Sequence, residues 1–202
     1  MSESGTIRLP EPDRRGRISV QEAIAQRRSV RQYRETPLSL THLSQLLWAG
    51  QGITDARGYR SAPSAGALYP LEIDVVAGSV EGLSPGVYRY APRSHALVGH
   101  RQGDLRQELS RAGLNQGAIN RAPAVLVISG VYARTTAKYK ERGIRYVHME
   151  AGHAAQNVCL EAVALNLGTV PIGAFHDAQV QSAVGLAGDE QPLYLIPVGT
   201  PQ

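Results

Sequence analysis

Lysine is nearly missing from this chain. Of 21 basic residues only Lys138 and Lys140 are lysines, and every other cation is arginine. Arginine cannot accept a proton near neutral pH, so amine base chemistry has only these two addresses. Cysteine is scarcer still. A lone Cys159 excludes an internal disulfide, and it sits in an apolar helical pattern where a thiol behaves as a small hydrophobe. No apolar run reaches the roughly 20 residues of a bilayer span. Met1-Ser2-Glu3-Ser4-Gly5 has neither the basic nor the apolar region of a secretory signal. The expectation is a soluble, cytoplasmic protein with no membrane partner. Repeats and low-complexity segments are absent as well.

The 202 residues, 43% apolar and 19% charged, suffice for one domain with a full core. The excess of 21 basic over 17 acidic residues, +4, is scattered and not interleaved with aromatics, which argues against nucleic acid as a partner. Residues 1–17 are polar, carry Pro10 and Pro12, and read as an N-terminal arm preceding a single domain over 18–202.

Ser19 and Glu22 form a capping box for a short helix. Ser39 caps a second helix whose Leu40, Leu43, Leu46 and Leu47 share one face, with Gly50 as its stop. Alternation predicts a strand over 72–76 and a hairpin from 87–90 and 96–98 around Pro92. A surface helix is expected from Asp104 to Ala112, and the continuous apolar run 124–128 predicts a buried, central strand. The longest helix is expected from about Arg145 to Leu167. Val147, Ala151, Ala154, Val158, Ala162 and Leu165 form one stripe, with Met149, Gly152, Gln156, Cys159 and Val163 beside it. Gly152, Ala154 and Ala155 allow close approach of another helix, within the subunit or from a symmetry mate; a homodimer is the reading taken. His148 and His153, some 140° apart around the helix axis, are poorly placed to share a metal ion, and no metal site is expected. Asp177 caps a short helix ending at Gly185, and 192–199 makes a terminal strand.

Three stretches carry chemistry. Arg27-Arg28-Ser29-Val30-Arg31 follows the first helix and gathers three guanidiniums and a hydroxyl, a donor set suited to phosphate; arginines that merely complement a helix C-terminus are the competing reading. Ser61 to Pro70, with Pro63, Ser64, Ala65 and Gly66, is a small-residue loop against which a planar ring could lie, or an ordinary surface loop. Thr169 to Phe175 is an apolar segment broken by Pro171 and Gly173.

Taken in this order, with Glu150-Ala151-Gly152-His153-Ala154-Ala155-Gln156-Asn157 on the long helix, these stretches resemble the nitroreductase superfamily over residues 20 to 199. More narrowly they resemble its SagB-type dehydrogenase branch. The resemblance implies an α+β fold, a mainly antiparallel sheet covered by helices, in an intertwined homodimer with FMN at each subunit boundary. It implies that Arg27, Ser29 and Arg31, assisted by Arg28, hold the FMN phosphate and ribityl oxygens. Pro63, Ser64, Ala65 and Gly66 would lie against the isoalloxazine, usually from the other subunit. Gly173 and Ala174 would present backbone N–H groups to flavin N5 and O4, where fixed donors stabilise the charge left by an accepted hydride.

The branch's adjacent Lys-Tyr pair corresponds to Lys138-Tyr139. A lysine of lowered pKa takes a proton as hydride leaves the neighbouring carbon, while the tyrosine donates or relays one; a surface lysine beside a packing tyrosine is the plainer alternative. The family's phosphate-binding cations near the C-terminus have no counterpart in Thr200-Pro201-Gln202, which places that load on Arg27 and Arg31. The implied activity is FMN-dependent hydride transfer, with azoline-to-azole oxidation of a small or peptide-borne heterocycle foremost. An NAD(P)H-dependent nitro or quinone reductase, and a flavin-binding or storage protein without turnover, are the alternatives.

Overall fold

The computed structural model describes residues 5–202; Met1 to Ser4, the start of the expected arm, lie outside the described residues. Seven strands form one sheet, entirely antiparallel between its named strands, in the order β1-β4-β3-β2-β5-β7-β6. They are β1 (Thr6–Arg8), β2 (Leu71–Ala77), β3 (Gly86–Ala91), β4 (Ala96–Gln102), β5 (Ala124–Val131), β6 (Gly168–Thr169) and β7 (Glu190–Gly199). The helices are α1 (Val20–Gln26), α2 (Leu40–Gln51), α3 (Arg106–Ala112), α4 (Gly117–Arg121), α5 (Tyr132–Tyr139), α6 (Arg142–Ala164) and α7 (Asp177–Val184). This is the α+β, mainly antiparallel architecture that the sequence predicts.

Side-chain alternation divides the core into two layers. Leu126 and Ile128 of β5, with Ile73 and Val75 of β2, face Leu43, Leu46 and Leu47 of α2 and Val147, Ala151, Ala154 and Val158 of α6. Val125 and Val127 point the opposite way, onto Leu109, Ile119, Val180 and Val184 of α3, α4 and α7. All eight residues of β5 are buried between β2 and β7 because helices cover both faces. On the second face Asp74, fully buried, takes the Arg89 Nε–H at 2.8 Å, and the same guanidinium forks onto both oxygens of Glu190 at 2.7 Å.

Three expectations need correction. The lead-in is not a free arm from residue 6 onward: Thr6–Arg8 pairs with β4, Leu9 is buried, and Gln45 trades hydrogen bonds with the Asp13 backbone at 2.9 and 2.8 Å. The long helix spans Arg142–Ala164, three residues earlier at each end than the expected Arg145 to Leu167. Gly143 lies within it because the α5 backbone at Thr135 passes 3.0 Å from where a Cβ would sit. Finally, His176, not Asp177, occupies the N-cap of α7. Helix α5 and the single turn α4 carry no clear sequence signal and were not expected. No helix of the described residues is long and apolar enough to cross a membrane.

Candidate active site

Serine 19 accepts the Glu22 N–H at 3.1 Å while the Glu22 carboxylate accepts the Ser19 N–H at 2.7 Å, closing the capping box that starts α1. The helix stops at Arg27, and the chain continues extended beside β6. Ser29 bridges Thr169 in parallel, the Val30 N–H donates to the Thr169 carbonyl at 3.0 Å, and the buried Tyr33 hydroxyl donates to the Val30 carbonyl at 2.7 Å. Val30 packs on Gly168. In extended chain, alternate residues share a side, so Arg27, Ser29 and Arg31 fall opposite Val30, where Ser29 and Arg31 are exposed. Arg28 does otherwise: its guanidinium donates to the carbonyls of Ala25 at 2.9 Å and Arg27 at 2.7 Å, covering the end of α1. The helix-capping reading is realised by Arg28, while Arg27 and Arg31 leave the phosphate reading open to them.

The segment after β6 stays with this group. Ile172 exchanges backbone hydrogen bonds with Leu195 of β7 at 2.8 and 2.9 Å, and Val170 and Ile172 are buried. Gly173 and Ala174 are exposed beyond them; the Ala174 carbonyl accepts from Gln116 at 3.0 Å.

The second group forms around Gly66. A single 3-10 turn, Ala65–Ala67, has Gly66 at φ +64° and Ala67 at +54°, with Tyr69 at +47° just after. Two of these are not glycine, so the backbone here stores strain that its surroundings must hold. The Ser64 hydroxyl oxygen accepts the Tyr69 N–H at 2.9 Å and Arg134 donates to the Tyr69 carbonyl at 3.0 Å. Arg60 stacks 4.6 Å over the Tyr69 ring and reaches Gln51 at 2.7 Å. From α5, Tyr139 Oη and Lys138 Nζ lie 2.9 and 3.1 Å from where a Cβ on Gly66 would be. Any larger residue would displace both. Tyr139 in turn meets Tyr146 of α6 edge to face at 5.2 Å.

Glu150, which sequence reasoning did not single out, lies beneath this loop. It is 3% exposed, its Oε1 is buried without a hydrogen-bond partner, and burial pushes its pKa up to about 7 despite the lowering influence of Ser64, the Arg60 charge and Ala65. Its sequence signal is a carboxylate on the same helix face as the apolar stripe, four residues before Ala154. Cys159, nine residues further along α6, accepts the Thr169 hydroxyl at 3.4 Å, and burial raises its thiol pKa, so it is no nucleophile. His148 is bonded to the Tyr132 hydroxyl at 2.6 Å.

The structure thus brings Gly66, Lys138 and Tyr139 together, and separately joins Ser29 to the strand that leads to Gly173. The two groups meet α6 at Glu150 and Cys159, nine residues or about 13 Å apart along its axis. The donor set of Arg27, Ser29 and Arg31 suits a phosphate and the exposed backbone at Gly173 suits a flat ring edge, so the residues present fit an FMN.

A chain with this fold and these motifs falls among the flavin-type oxidoreductases. It matches the nitroreductase family over residues 24–200, and it belongs to that family. A nitroreductase-like protein of Methanocaldococcus jannaschii, MJ1384, is 46% identical over 199 residues, 98% of each chain. The microcin B17-processing protein McbC of Escherichia coli is 30% identical over 133 residues, 63% of this chain and 48% of McbC. The chain also matches the solved E. coli microcin synthetase McbBCD complex with truncated pro-MccB17 bound, with a TM-score of 0.74 at 25% identity over 96% of this chain and 77% of the other. A nitroreductase-like crystal structure from Ralstonia eutropha superposes over 100% of this chain and 92% of its own, with a TM-score of 0.86 at 28% identity. The chain is a nitroreductase-family oxidoreductase, and proteins of this family generally use FMN.

Proposed function

We propose that this protein is an FMN-dependent dehydrogenase of SagB type, oxidising a C–N heterocycle, with azoline-to-azole conversion on a small or peptide-borne substrate as the leading reaction. The observation that carries the reading is the convergence of Lys138 and Tyr139 on Gly66. A proton-handling pair beside the loop that meets the flavin ring is what an oxidation needs when substrate must lose a proton and a hydride together. The likeness to McbC, a microcin B17-processing protein by its name, supports the same direction.

When bound, the flavin supplies the two-electron acceptor for the substrate hydride. Arg27, Ser29 and Arg31 bind its phosphate end, and Gly173 and Ala174 present backbone N–H groups to the ring edge. Pro63, Ser64, Ala65 and Gly66 close against the ring face. Lys138 takes the substrate proton, and the Tyr139 hydroxyl donates a hydrogen bond to the substrate. The 13 Å between the two groups along α6 supports a site completed by a second subunit. So do the exposed Val20 and Ile24 of α1 and Ile144 and Met149 of α6, and Gly152, where a Cβ would touch nothing. Ala154 and Ala155, by contrast, are already buried within the chain.

The test is anaerobic mixing of the flavin-loaded protein with an azoline peptide. Bleaching of the flavin with formation of the azole supports the proposal. Flavin that stays oxidised with the peptide but bleaches with NADPH identifies an NAD(P)H-dependent nitro or quinone reductase instead, which needs no such base. Flavin that cycles with no donor or acceptor identifies a storage protein.

A further inference from the structure

Residues 66–72 and 130–139 run side by side past the end of the β2–β5 ladder. Leu71 pairs with Gly130, and the Val131 N–H continues the pairing by donating to the Pro70 carbonyl at 2.8 Å. There the chain turns into α5 and the backbone contacts stop. Arg134 takes over: its Nη1 donates to the Tyr69 carbonyl at 3.0 Å, and its Nη2 forms a 2.6 Å ion pair with Glu72. One turn further along the same face of α5, Lys138 and its neighbour Tyr139 reach Gly66.

Neither side of this seam holds its own shape. Gly66, Ala67 and Tyr69 are left-handed, and alanine and tyrosine do not keep that conformation unaided. Helix α5 has eight residues, no side-chain bond at its N-cap, and a C-cap, Lys140, at φ +53°. Glu72, by contrast, is fixed. It lies on β2 opposite Ser129 of the buried β5, and its second oxygen stands 3.8 Å from Arg89, which Asp74 and Glu190 hold in place.

We propose that Arg134, seated on Glu72, is a positioning residue that sets the Gly66 turn against the Lys138–Tyr139 pair. Its planar fork binds an acceptor on the loop and an acceptor on the sheet at once, a geometry that the single ammonium of a lysine reproduces only in part. With the fork in place, the turn and α5 move as one body. Without it, Tyr69 keeps the Ser64 hydroxyl and the Arg60 stack, and both of those lie on the loop's own side of the seam. Arg134 acts through the two segments that it joins. The role in turnover rests on the reading of Lys138, Tyr139 and residues 63–66 as the surfaces that meet substrate and flavin; the mechanical role does not.

The test is amide hydrogen exchange over residues 66–70 and 132–139 of the full chain, with and without FMN, together with kcat and KM for oxidation of an azoline peptide. Arg134→Met, which keeps the length of the side chain and removes the fork, is expected to lower protection about tenfold in both segments, and Glu72→Gln about threefold. The double variant is expected to be no looser than Arg134→Met alone, because both changes break one chain of contacts. In turnover, kcat of Arg134→Met should fall about tenfold with KM changed less than about twofold, and Arg134→Lys should recover part of the loss. Unchanged protection in either segment of Arg134→Met, a double variant whose losses add, or a loosened protein with wild-type kcat overturns the proposal. Protection that falls in both segments of a protein whose wild type oxidises no azoline upholds the mechanical role and refutes the dehydrogenase reading alone.

Discussion

Val30 closes directly on Gly168: a Cβ on Gly168 would lie 2.6 Å from the Val30 Cβ. The Arg27–Arg31 segment and the strand that leads to Gly173 are in contact with no room between them. Gly168→Ala must therefore push Arg27 to Arg31 outward, at a cost of about 1–3 kcal/mol in stability as overpacking does. FMN binding is expected to weaken although Gly168 itself is no ligand; fluorescence titration with FMN checks this.

Arg27→Ala and Arg31→Ala are expected to release flavin while leaving a folded dimer. A charge-assisted contact to phosphate is worth about 1.5–3 kcal/mol, so each substitution should raise the FMN Kd roughly tenfold to a hundredfold. Arg28→Ala should instead cost a few tenths of a kcal/mol in stability and leave FMN affinity unchanged, because its guanidinium covers the α1 carbonyls. Flavin retention after dilution and gel filtration distinguishes the three.

Lys138→Ala is expected to keep the flavin and lose about 10²–10⁴-fold in substrate oxidation, with Tyr139→Phe losing less. Lys138→Arg should not rescue, since arginine holds its proton. Rapid mixing that follows flavin bleaching measures the step itself.

Arg89→Leu should destabilise the fold by about 3–5 kcal/mol, because it leaves Asp74 and Glu190 buried without their shared cation. Chemical denaturation with an unchanged m-value is the measurement. The network lies on the sheet face opposite α2 and α6, so flavin binding in the surviving folded protein should be normal.

Glu150 sets a pH dependence of global stability. Its pKa is raised from 4.5 in the unfolded chain to about 7 in the fold, so the folded state keeps a proton that the unfolded state has lost. The contribution is full below 4.5 and is lost as pH rises through about 7, on the order of 3 kcal/mol in all. Denaturation of Glu150→Gln should show this fall with pH removed.

Much of the architecture is written locally. Ser19 with Glu22 marks α1, Ser39 marks α2, and the alternation of β2, β3 and β4 is plain because each strand shows its two faces to different surroundings. Helix α5 is hidden: Val131 offers no capping side chain, Thr135 and Thr136 are poor helix formers, and packing on α6 holds it. The same contact hides the start of α6, where Gly143 looks like an end and is a close approach. Arg27, Ser29 and Arg31 are picked out as a set by the resemblance alone; that the chain runs extended and puts them on one side is seen only in the fold. Glu150 could not be singled out, since Ser64 and Ala65 lie some 85 residues earlier and only the fold brings them near it.

The account rests first on the flavin. The direct measurement is the visible spectrum of the purified protein, with the released cofactor identified after denaturation. A yellow protein that yields FMN, one per chain on reconstitution, is the predicted result. A colourless protein that cannot be reconstituted with FMN would contradict the account.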